Sequence, residues 1–300
     1  MNDCIIVGGG IAGLQAAIQL GRYSVHHVLV IDNENGRSTI CRNYHNILGF
    51  PEGISGDELR ARGRRQAESL GVRFIHDTAD KVVQHDGSFR LTGKSGEIYR
   101  GRTILLATGL TDRFPDIPGL VPTLGCSVYI CPDCDGYEIQ NRKTAVLGAG
   151  NAGANMAILL SERTKDLTYV NHEKTPVDDE LQEQLKEKGI EYMEKEIIEV
   201  ECHKDGMIQS LRLEDGMEIK AERGFISFGG NLVHSDLAAQ LGAELEHNKH
   251  VKADPRSKMT NVPNVWVAGD LGVHAEQATV AMGDGVTAAI WINKALKAMK

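Results

Sequence analysis

The sequence predicts an α/β protein made of two Rossmann-like dinucleotide-binding domains, the second inserted into a discontinuous first. Its 300 residues suit two domains of roughly 100 to 200 residues each. A Gly-x-Gly-x-x-Gly loop occurs twice, beginning at residues 8 and 148, and each copy follows an apolar strand and opens a helical run. The last 40 residues then return to a strand followed by a helix, so the end of the chain is expected to complete the first domain.

The first half of the chain contains one strand, loop, helix and strand unit. Residues 4–7 form an apolar strand, the helical run reaches about residue 20, and a strand at 28–31 ends at Asp32. In such a unit the glycines permit a tight turn, the approach of a pyrophosphate and close packing, while the acidic residue accepts hydrogen bonds from a ribose diol. The predicted binding residues here are Gly8, Gly10, Ala12, Gly13 and Asp32.

The same order of elements recurs in the middle of the chain. A strand at 144–147 runs into the second loop, a helix reaches about residue 161, and a strand follows at 167–170. Gly148, Gly150 and Gly153 are therefore candidates for binding a second nucleotide. They also fit a domain that keeps its glycines for packing alone.

A segment rich in proline and glycine at 114–119 is typical of a linker. We therefore expect the first domain to comprise residues 1–111 and 234–300, and the second to comprise residues 112–233. After a predicted helix at 179–188, short alternating segments suit antiparallel strands. These segments lie at 199–202, 208–213 and 224–228.

Composition excludes several classes of function. The formal charge of −8, with no stretch rich in lysine and arginine, argues against nucleic acid as a partner. The apolar run at residues 4–7 is too short for a signal or membrane segment, so we expect no membrane association and a place in the cytoplasm. Six cysteines are too few for a secreted disulfide scaffold. Because structural disulfides are rare in a reducing compartment, the closely spaced pair Cys131 and Cys134 is a candidate for redox function.

The Cys131-Pro132-Asp133-Cys134 segment allows three interpretations. With Cys126 it reproduces a spacing of iron-sulfur ligands, but a fourth ligand is missing nearby because the next cysteine, Cys202, lies 68 residues further on. The two cysteines could also be incidental. The favoured interpretation is a dithiol/disulfide couple, in which two intervening residues allow a small ring and Pro132 fixes the backbone. We expect no metal.

Residues 131–137, which follow a strand and precede the second glycine loop, resemble the active-site segment of low-molecular-weight thioredoxin reductases. The resemblance extends over the whole chain, through both glycine loops, residues 46–49, residues 107–109, the Gly269-Asp270 pair and residues 276–278. It implies FAD on the first loop, a nicotinamide nucleotide on the second, the dithiol between the two bound groups, and a homodimer. The Cys-Pro-x-Cys motif also resembles that of the flavin dithiol oxidases of natural-product biosynthesis, which share the fold but pass electrons to oxygen.

The resemblance assigns roles to individual residues. Cys134 corresponds to the cysteine next to the flavin, Cys131 to its disulfide partner, and Asp135 to a carboxylate that moves a proton near the sulfurs. An alternative for Asp135 is a turn-forming residue before Gly136. The FAD-binding residues implied by the resemblance are Asn46, Thr108, Gly109, Gly269, Asp270, Gln277 and Ala278. His274 and His45 are either close to the flavin or solvated loop histidines.

One segment departs from the family. In members that use NADPH, the strand after the second loop ends in a histidine and two arginines that clamp the 2′-phosphate. Residues 171–174 instead read Asn-His-Glu-Lys, and the carboxylate of Glu173 would repel a phosphate. Glu173 could select NADH through the ribose diol, a ferredoxin could supply the electrons, or the pocket could have lost its nucleotide, so the sequence leaves NADH and NADPH undecided.

Three functions fit these residues. The leading one is a disulfide reductase, in which electrons reach FAD, pass to Cys131 and Cys134, and move by thiol exchange to thioredoxin, a similar protein or a small-molecule disulfide. An oxidase would run the same relay towards oxygen. A redox sensor without turnover would use the disulfide to change the surface presented to a partner.

Overall fold

The computed structural model describes residues 1–273 and 275–299, and its residues divide into two compact units. The first unit comprises Met1–Thr39, Gly56–Thr111 and Leu232–Lys300, and the second comprises Ile40–Ser55 and Asp112–Asn231. No helix among the described residues is long and apolar enough to cross a membrane.

The first unit begins with alternating strands and helices. Its elements up to residue 111 are β1 (Asn2–Val7), α1 (Ile11–Gly21), β2 (Val28–Asp32), α2 (Gly56–Ser69), β3 (Arg73–His76), β4 (Ala79–His85), β5 (Ser88–Gly93), β6 (Ile98–Leu106) and β7 (Leu110–Thr111). Strand β1 is buried on both faces, because Ile5 packs into one apolar core and Ile6 into another. Burial on both faces explains why its sequence is a continuous apolar run.

The second unit contains a parallel sheet and a smaller antiparallel one. Its elements are α3 (Leu120–Thr123), β8 (Val128–Tyr129), α4 (Pro132–Asp135), β9 (Thr144–Gly148), α5 (Gly150–Leu160), β10 (Leu167–Asn171), α6 (Asp179–Glu187), β11 (Glu191–Met193), β12 (Ile197–Cys202), β13 (Ile208–Leu213), β14 (Glu218–Lys220) and β15 (Arg223–Ser227). The parallel sheet has the order β11-β10-β9-β15-β8, and the antiparallel sheet has the order β12-β13-β14.

The chain then returns to the first unit. The last elements are β16 (Leu232–Val233), α7 (Asp236–Gln240), β17 (Val265–Val267) and α8 (Ala278–Ala298). Strand β16 pairs with β7, and β17 joins the first sheet beside β6. The order of that sheet is β3-β2-β1-β6-β5-β4, and β1, β2, β6 and β17 are parallel, so their carboxyl ends lie at one edge.

Two sequence expectations about the second unit are wrong. Residues 224–228 were expected to form an antiparallel strand, but β15 pairs in parallel with both β9 and β8. The reason is burial: Phe225 is fully buried in the centre of the sheet, so the segment follows the apolar pattern of a central parallel strand. The antiparallel partner of β13 is β14 instead.

The second correction concerns the domain limits. Residues 40–55 were assigned to the first domain, but they group with the second unit. Ile40 packs against the apolar core of that unit, and the backbone of residues 40–42 lies so close to Gly125 that a side chain there would overlap it. Residues 232–233 move in the opposite direction, to the first unit, because they pair with β7.

Candidate functional site

The first glycine loop leaves β1 through a tight turn. Gly8 has φ +105°, and its N–H donates to the carbonyl of Ile31 at 2.8 Å, which ties the loop to the end of β2. A Cβ atom on Gly8 would overlap the carbonyl oxygen of Ala107, and one on Gly13 would overlap the carbonyl oxygen of Gly8. Both positions therefore need glycine for close packing.

The middle glycine of this loop faces open space. A Cβ atom on Gly10 would meet no atom within 4 Å, and the backbone there is extended with φ −73°. Gly10 is the N-cap of α1, and no side chain caps the helix. The N–H groups of the first turn are thus free of a side-chain cap beside an unfilled space, which suits the approach of a pyrophosphate.

Asp32 lies at the end of β2, next to the loop. A Cβ atom on Gly9 would contact its carboxylate, so loop and carboxylate are neighbours. The guanidinium of Arg60 contacts the Asp32 carboxylate at 3.2 Å, and both side chains are largely buried. Arg60 was not singled out in the sequence, because only its contact with Asp32 marks it.

The Gly269-Asp270 pair follows β17 and lies beside α1. A Cβ atom on Gly269 would come within 2.8 Å of the Ala12 side chain, so the structure brings this pair to the glycine loop. Asp270 accepts a hydrogen bond from Arg37 at 3.2 Å, and the same guanidinium contacts Glu276 at 2.7 Å. Arg37 is a second residue that sequence reasoning missed, since its partners lie 233 and 239 residues away.

The remaining candidates of the first unit lie at two chain turns. Gln277 is the N-cap of α8, and Ala278 is its first residue. The Thr108 hydroxyl donates to the His234 carbonyl at 2.7 Å, and the carbonyl of Gly109 accepts the His234 N–H at 3.0 Å. His274 lies outside the described residues.

Two predicted residues fall in the other unit. Asn46 and His45 are exposed, and both belong to the segment Ile40–Ser55 that groups with the second unit. Their roles stay predictions.

The second glycine loop is covered by its own chain. The Gly150 N–H donates to the side-chain oxygen of Asn171 at 3.0 Å, and a Cβ atom on Gly150 would lie 2.8 Å from the Thr175 hydroxyl. Gly148 approaches the carbonyl of Ser227, and Gly153 lies against the ring of Tyr169. The space beside Gly150 is therefore partly filled, in contrast to the open space beside Gly10.

Glu173 is paired rather than free. Its two carboxylate oxygens accept hydrogen bonds from the Nη1 and Nη2 atoms of Arg113 at 2.7 and 3.0 Å. The Arg113 guanidinium holds the pKa of the Glu173 carboxyl below its usual value, so the group is ionised at neutral pH. Arg113 carries no motif that would have identified it.

Cys131 and Cys134 form a disulfide in the second unit. Cys131 is the N-cap of the short helix α4, and its Sγ accepts the backbone N–H of Cys134 at 3.1 Å. Pro132 occupies the first turn, where its missing N–H leaves no donor unpaired. The backbone thus holds the two sulfurs together, and both cysteines are partly exposed.

Asp135 follows the disulfide in a largely buried setting. Burial, followed by the nearby carboxylate of Glu138, raises the pKa of Asp135 to about 7. A carboxyl group with this pKa can hold or release a proton near neutral pH. Cys41 lies close by, since burial and then the charge of Asp135 raise the pKa of its thiol to about 12.

The other cysteines do not form a metal site with this pair. Across residues 1–273 and 275–299, no group of three His, Cys, Asp or Glu side chains could hold a metal ion. Cys202 lies at the end of β12, and its thiol is 3.9 Å from the carbonyl oxygen of Gly119. The expectation of no metal in the purified protein stays a prediction.

The first unit offers a place that FAD would fit. Besides the open space at Gly10, the Ser38 hydroxyl is buried and has no hydrogen-bond partner among the described residues. Ser38 follows Arg37, and Gly36 lies within reach of both Ser38 and Arg60. An unpaired buried hydroxyl and an open glycine loop suit the phosphates of a dinucleotide.

Comparisons with known proteins place these features in context. The family model for pyridine nucleotide-disulphide oxidoreductases matches residues 2–285. The thioredoxin reductase of Rickettsia bellii is 28% identical, over 97% of this chain and 97% of its own. The crystal structure of the atypical thioredoxin reductase TRi from Desulfovibrio vulgaris Hildenborough is 32% identical over 99% of both chains, with a TM-score of 0.56. Thioredoxin reductase from Streptococcus pyogenes MGAS5005 shares the fold, with a TM-score of 0.89 at 22% identity over 99% of both chains.

Proposed function

Because the chain belongs to the pyridine nucleotide-disulphide oxidoreductase family, we propose that it is a flavoprotein disulfide reductase of the thioredoxin reductase type. It is an FAD-dependent oxidoreductase. The observation that carries the proposal is the Cys131–Cys134 disulfide beside Asp135, a carboxyl group able to exchange a proton near pH 7.

The first unit holds FAD through its loop cluster. The first-turn N–H groups of α1 would bind its phosphates, and Asp32 would accept hydrogen bonds from a ribose diol, while Arg37 keeps the Asp270 carboxylate in place. When bound, FAD supplies a carrier that receives two electrons from a donor and passes them on.

The cysteine pair carries the electrons to the substrate. Its reduction takes up two electrons and two protons, breaks the bond between the sulfurs of Cys131 and Cys134, and leaves two thiols. The Cys131 thiolate attacks one sulfur of a substrate disulfide and expels the other as a thiolate, which takes up a proton. The Cys134 thiolate then attacks Cys131, which restores the disulfide and releases the second substrate thiolate to take up the other proton.

Asp135 serves this exchange as an acid. Below about pH 7 its carboxyl group is protonated, and it can deliver that proton to a sulfur that leaves as a thiolate. The proton is then replaced from solvent, because the residue is not fully enclosed.

The resemblance to thioredoxin reductases supports a thioredoxin-like protein as the partner. The same proposal includes further points that are less well supported. These are a small-molecule disulfide as an alternative substrate, a ferredoxin as an alternative electron donor, a homodimer as the oligomeric state, and the cytoplasm as the location. Light scattering of the FAD-loaded protein measures the dimer, and flavin bleaching by NADH, NADPH or reduced ferredoxin under anaerobic conditions identifies the donor.

The experiment that tests the cysteine relay uses two single variants of the full chain. We expect Cys131→Ser and Cys134→Ser both to lose donor-driven thioredoxin reduction while the donor still bleaches the flavin. Cys131→Ser should in addition show a long-wavelength charge-transfer band, because the resemblance implies that the remaining Cys134 thiolate is the one that contacts the flavin.

Cys202→Ser is the matched control. Cys202 lies on β12 and is not part of the disulfide, so this variant should keep full activity. Retention of thioredoxin reduction by both single variants would refute the relay. A charge-transfer band in Cys134→Ser alone would reverse the assignment of the two cysteines.

A further inference from the structure

The carboxyl edge of the second unit's parallel sheet is where a dinucleotide would lie. Strand β9 is flanked by β10 on one side and β15 on the other, and all three are parallel. The glycine loop starts at the end of β9, at Gly148. In folds of this kind a dinucleotide lies along this edge, with the adenosine ribose near the end of the strand that corresponds to β10.

Arg113 spans this edge. Its Nε and Nη2 atoms donate to the carbonyl oxygens of Gly229 and Phe228 at 2.9 and 2.7 Å, directly after β15. The same guanidinium holds Glu173, two residues beyond the end of β10, in a two-pronged ion pair. Since β15 and β10 lie on opposite sides of β9, the ion pair lies across the nucleotide edge.

The other basic side chains beside Glu173 are also engaged. The Lys174 ammonium contacts Glu214 at 2.7 Å, and the Nδ1 atom of His172 accepts the N–H of Ile197 at 2.9 Å. Burial lowers the pKa of His172 despite the nearby carboxylates of Glu196, Glu173 and Glu214, so this imidazole adds no positive charge at neutral pH. A 2′-phosphate arriving here would meet carboxylates and cations that are already paired.

We propose that Glu173 and Arg113 together set the choice of nucleotide, with Glu173 both accepting the ribose diol of NADH and masking a guanidinium that would otherwise bind the 2′-phosphate of NADPH. The inference rests on the proposed function in the form in which a pyridine nucleotide, rather than a ferredoxin, is the electron donor. Arg113 is a positioning residue in the wild-type protein because it orients the carboxylate through two parallel hydrogen bonds. It becomes a phosphate-binding residue only when Glu173 is neutral.

This arrangement predicts opposite effects of two substitutions. Glu173→Gln frees the charge of Arg113, so binding of NADP⁺ relative to NAD⁺ should rise by about fivefold or more. Adding Arg113→Gln to that variant should abolish the gain, because the released cation is then absent. The ratio isolates the 2′-phosphate, since both nucleotides share the rest of their structure.

The measurement is calorimetric titration of the FAD-loaded full chain with NAD⁺ and NADP⁺, which bind without electron transfer. Arg142→Gln is the control. Arg142 precedes the amino end of β9, opposite the nucleotide edge, so the loss of its surface ion pair with Glu222 should leave the binding ratio unchanged. An unchanged ratio in Glu173→Gln, a gain that survives in the double variant, or the absence of nucleotide binding in every variant would overturn the proposal.

The outcome is separable from that of the proposed function. Disulfide reduction by the wild-type protein is measured independently, with whichever donor bleaches the flavin. If reduction proceeds while the binding ratio does not respond to Glu173→Gln, the specificity proposal fails and the reductase proposal stands.

Discussion

Asp135 is the residue whose ionisation should control the pH dependence of the reaction. Burial and Glu138 raise its pKa to about 7, so the acid form is present below this pH and is lost above it. We expect kcat/KM for disulfide reduction to fall as the pH rises through about 7. Asp135→Asn should lower the rate below pH 7 by about a hundredfold and remove this fall, because the amide cannot release a proton.

Stability provides the control for this prediction. Between pH 4 and 7 the folded protein keeps a proton on Asp135 that the unfolded chain has lost, so the free energy of unfolding decreases as the pH rises. Asp135→Asn removes this loss, and its melting temperature relative to wild type should be higher at pH 8 than at pH 5. A variant that keeps the wild-type pH profile of kcat/KM would show that another group supplies the proton.

At the residue scale, the sequence identified groups that belong to short motifs. Cys131, Cys134 and Asp135 lie within five consecutive residues, so local spacing alone drew attention to them. Arg60 and Arg113 could not be identified in this way, because each acts by pairing with a carboxylate 28 or 60 residues away. Such pairings depend on the tertiary fold and leave no local pattern.

At the element scale, a substitution at the start of α1 should separate an effect on cofactor binding from an effect on folding. Gly10→Ala adds a Cβ atom in open space, on a backbone that any residue can adopt, so the fold should tolerate it. A pyrophosphate that approaches the loop would lose this space. We expect the dissociation constant for FAD to rise by about tenfold or more, equivalent to about 1.4 kcal/mol, with little change in the melting temperature of the flavin-free protein.

Gly283→Ala is the matched control for this substitution. Gly283 lies inside α8, and a Cβ atom there would also meet nothing within 4 Å. This variant should bind FAD as the wild type does. Equal flavin affinity in Gly10→Ala, measured by fluorescence quenching on reconstitution, would place the phosphates away from this loop.

Elements were predictable where one local pattern dominates. The strands and helices around both glycine loops follow from apolar runs next to glycine turns, and β1, α1, β9 and α5 occur where these patterns place them. Strand β15 was assigned the wrong direction because a short strand segment carries no information on whether its neighbours are parallel or antiparallel. Its neighbours are fixed by burial on both faces, which only the assembled sheet defines.

At the scale of the whole molecule, the chain crosses between its two units more often than the sequence indicated. The crossing near residues 111 and 112 lies just before a stretch rich in proline and glycine, whereas the segment 40–55 has no composition that marks it as part of the second unit. Its membership depends on the packing of Ile40 and on the close approach of its backbone to Gly125. A prediction from local composition therefore missed it.

The direction of electron flow is also a property of the whole protein. The cysteine pair, the carboxyl group and the two glycine loops would serve a reductase and an oxidase alike. Each 30 mV between the cysteine pair and its partner corresponds to about 1.4 kcal/mol, so the direction depends on potentials rather than on the presence of these residues. Membership of the disulphide oxidoreductase family and the likeness to thioredoxin reductases favour delivery to a disulfide.

The most direct test of this account compares the two directions in one preparation of the FAD-loaded protein. Donor-driven thioredoxin reduction is measured anaerobically, and oxygen consumption is measured with a reduced dithiol and no donor. The account predicts about one disulfide reduced per nicotinamide nucleotide oxidised, together with much slower consumption of oxygen. Rapid hydrogen peroxide production from the dithiol, with no reduction of thioredoxin by any supplied donor, would contradict it.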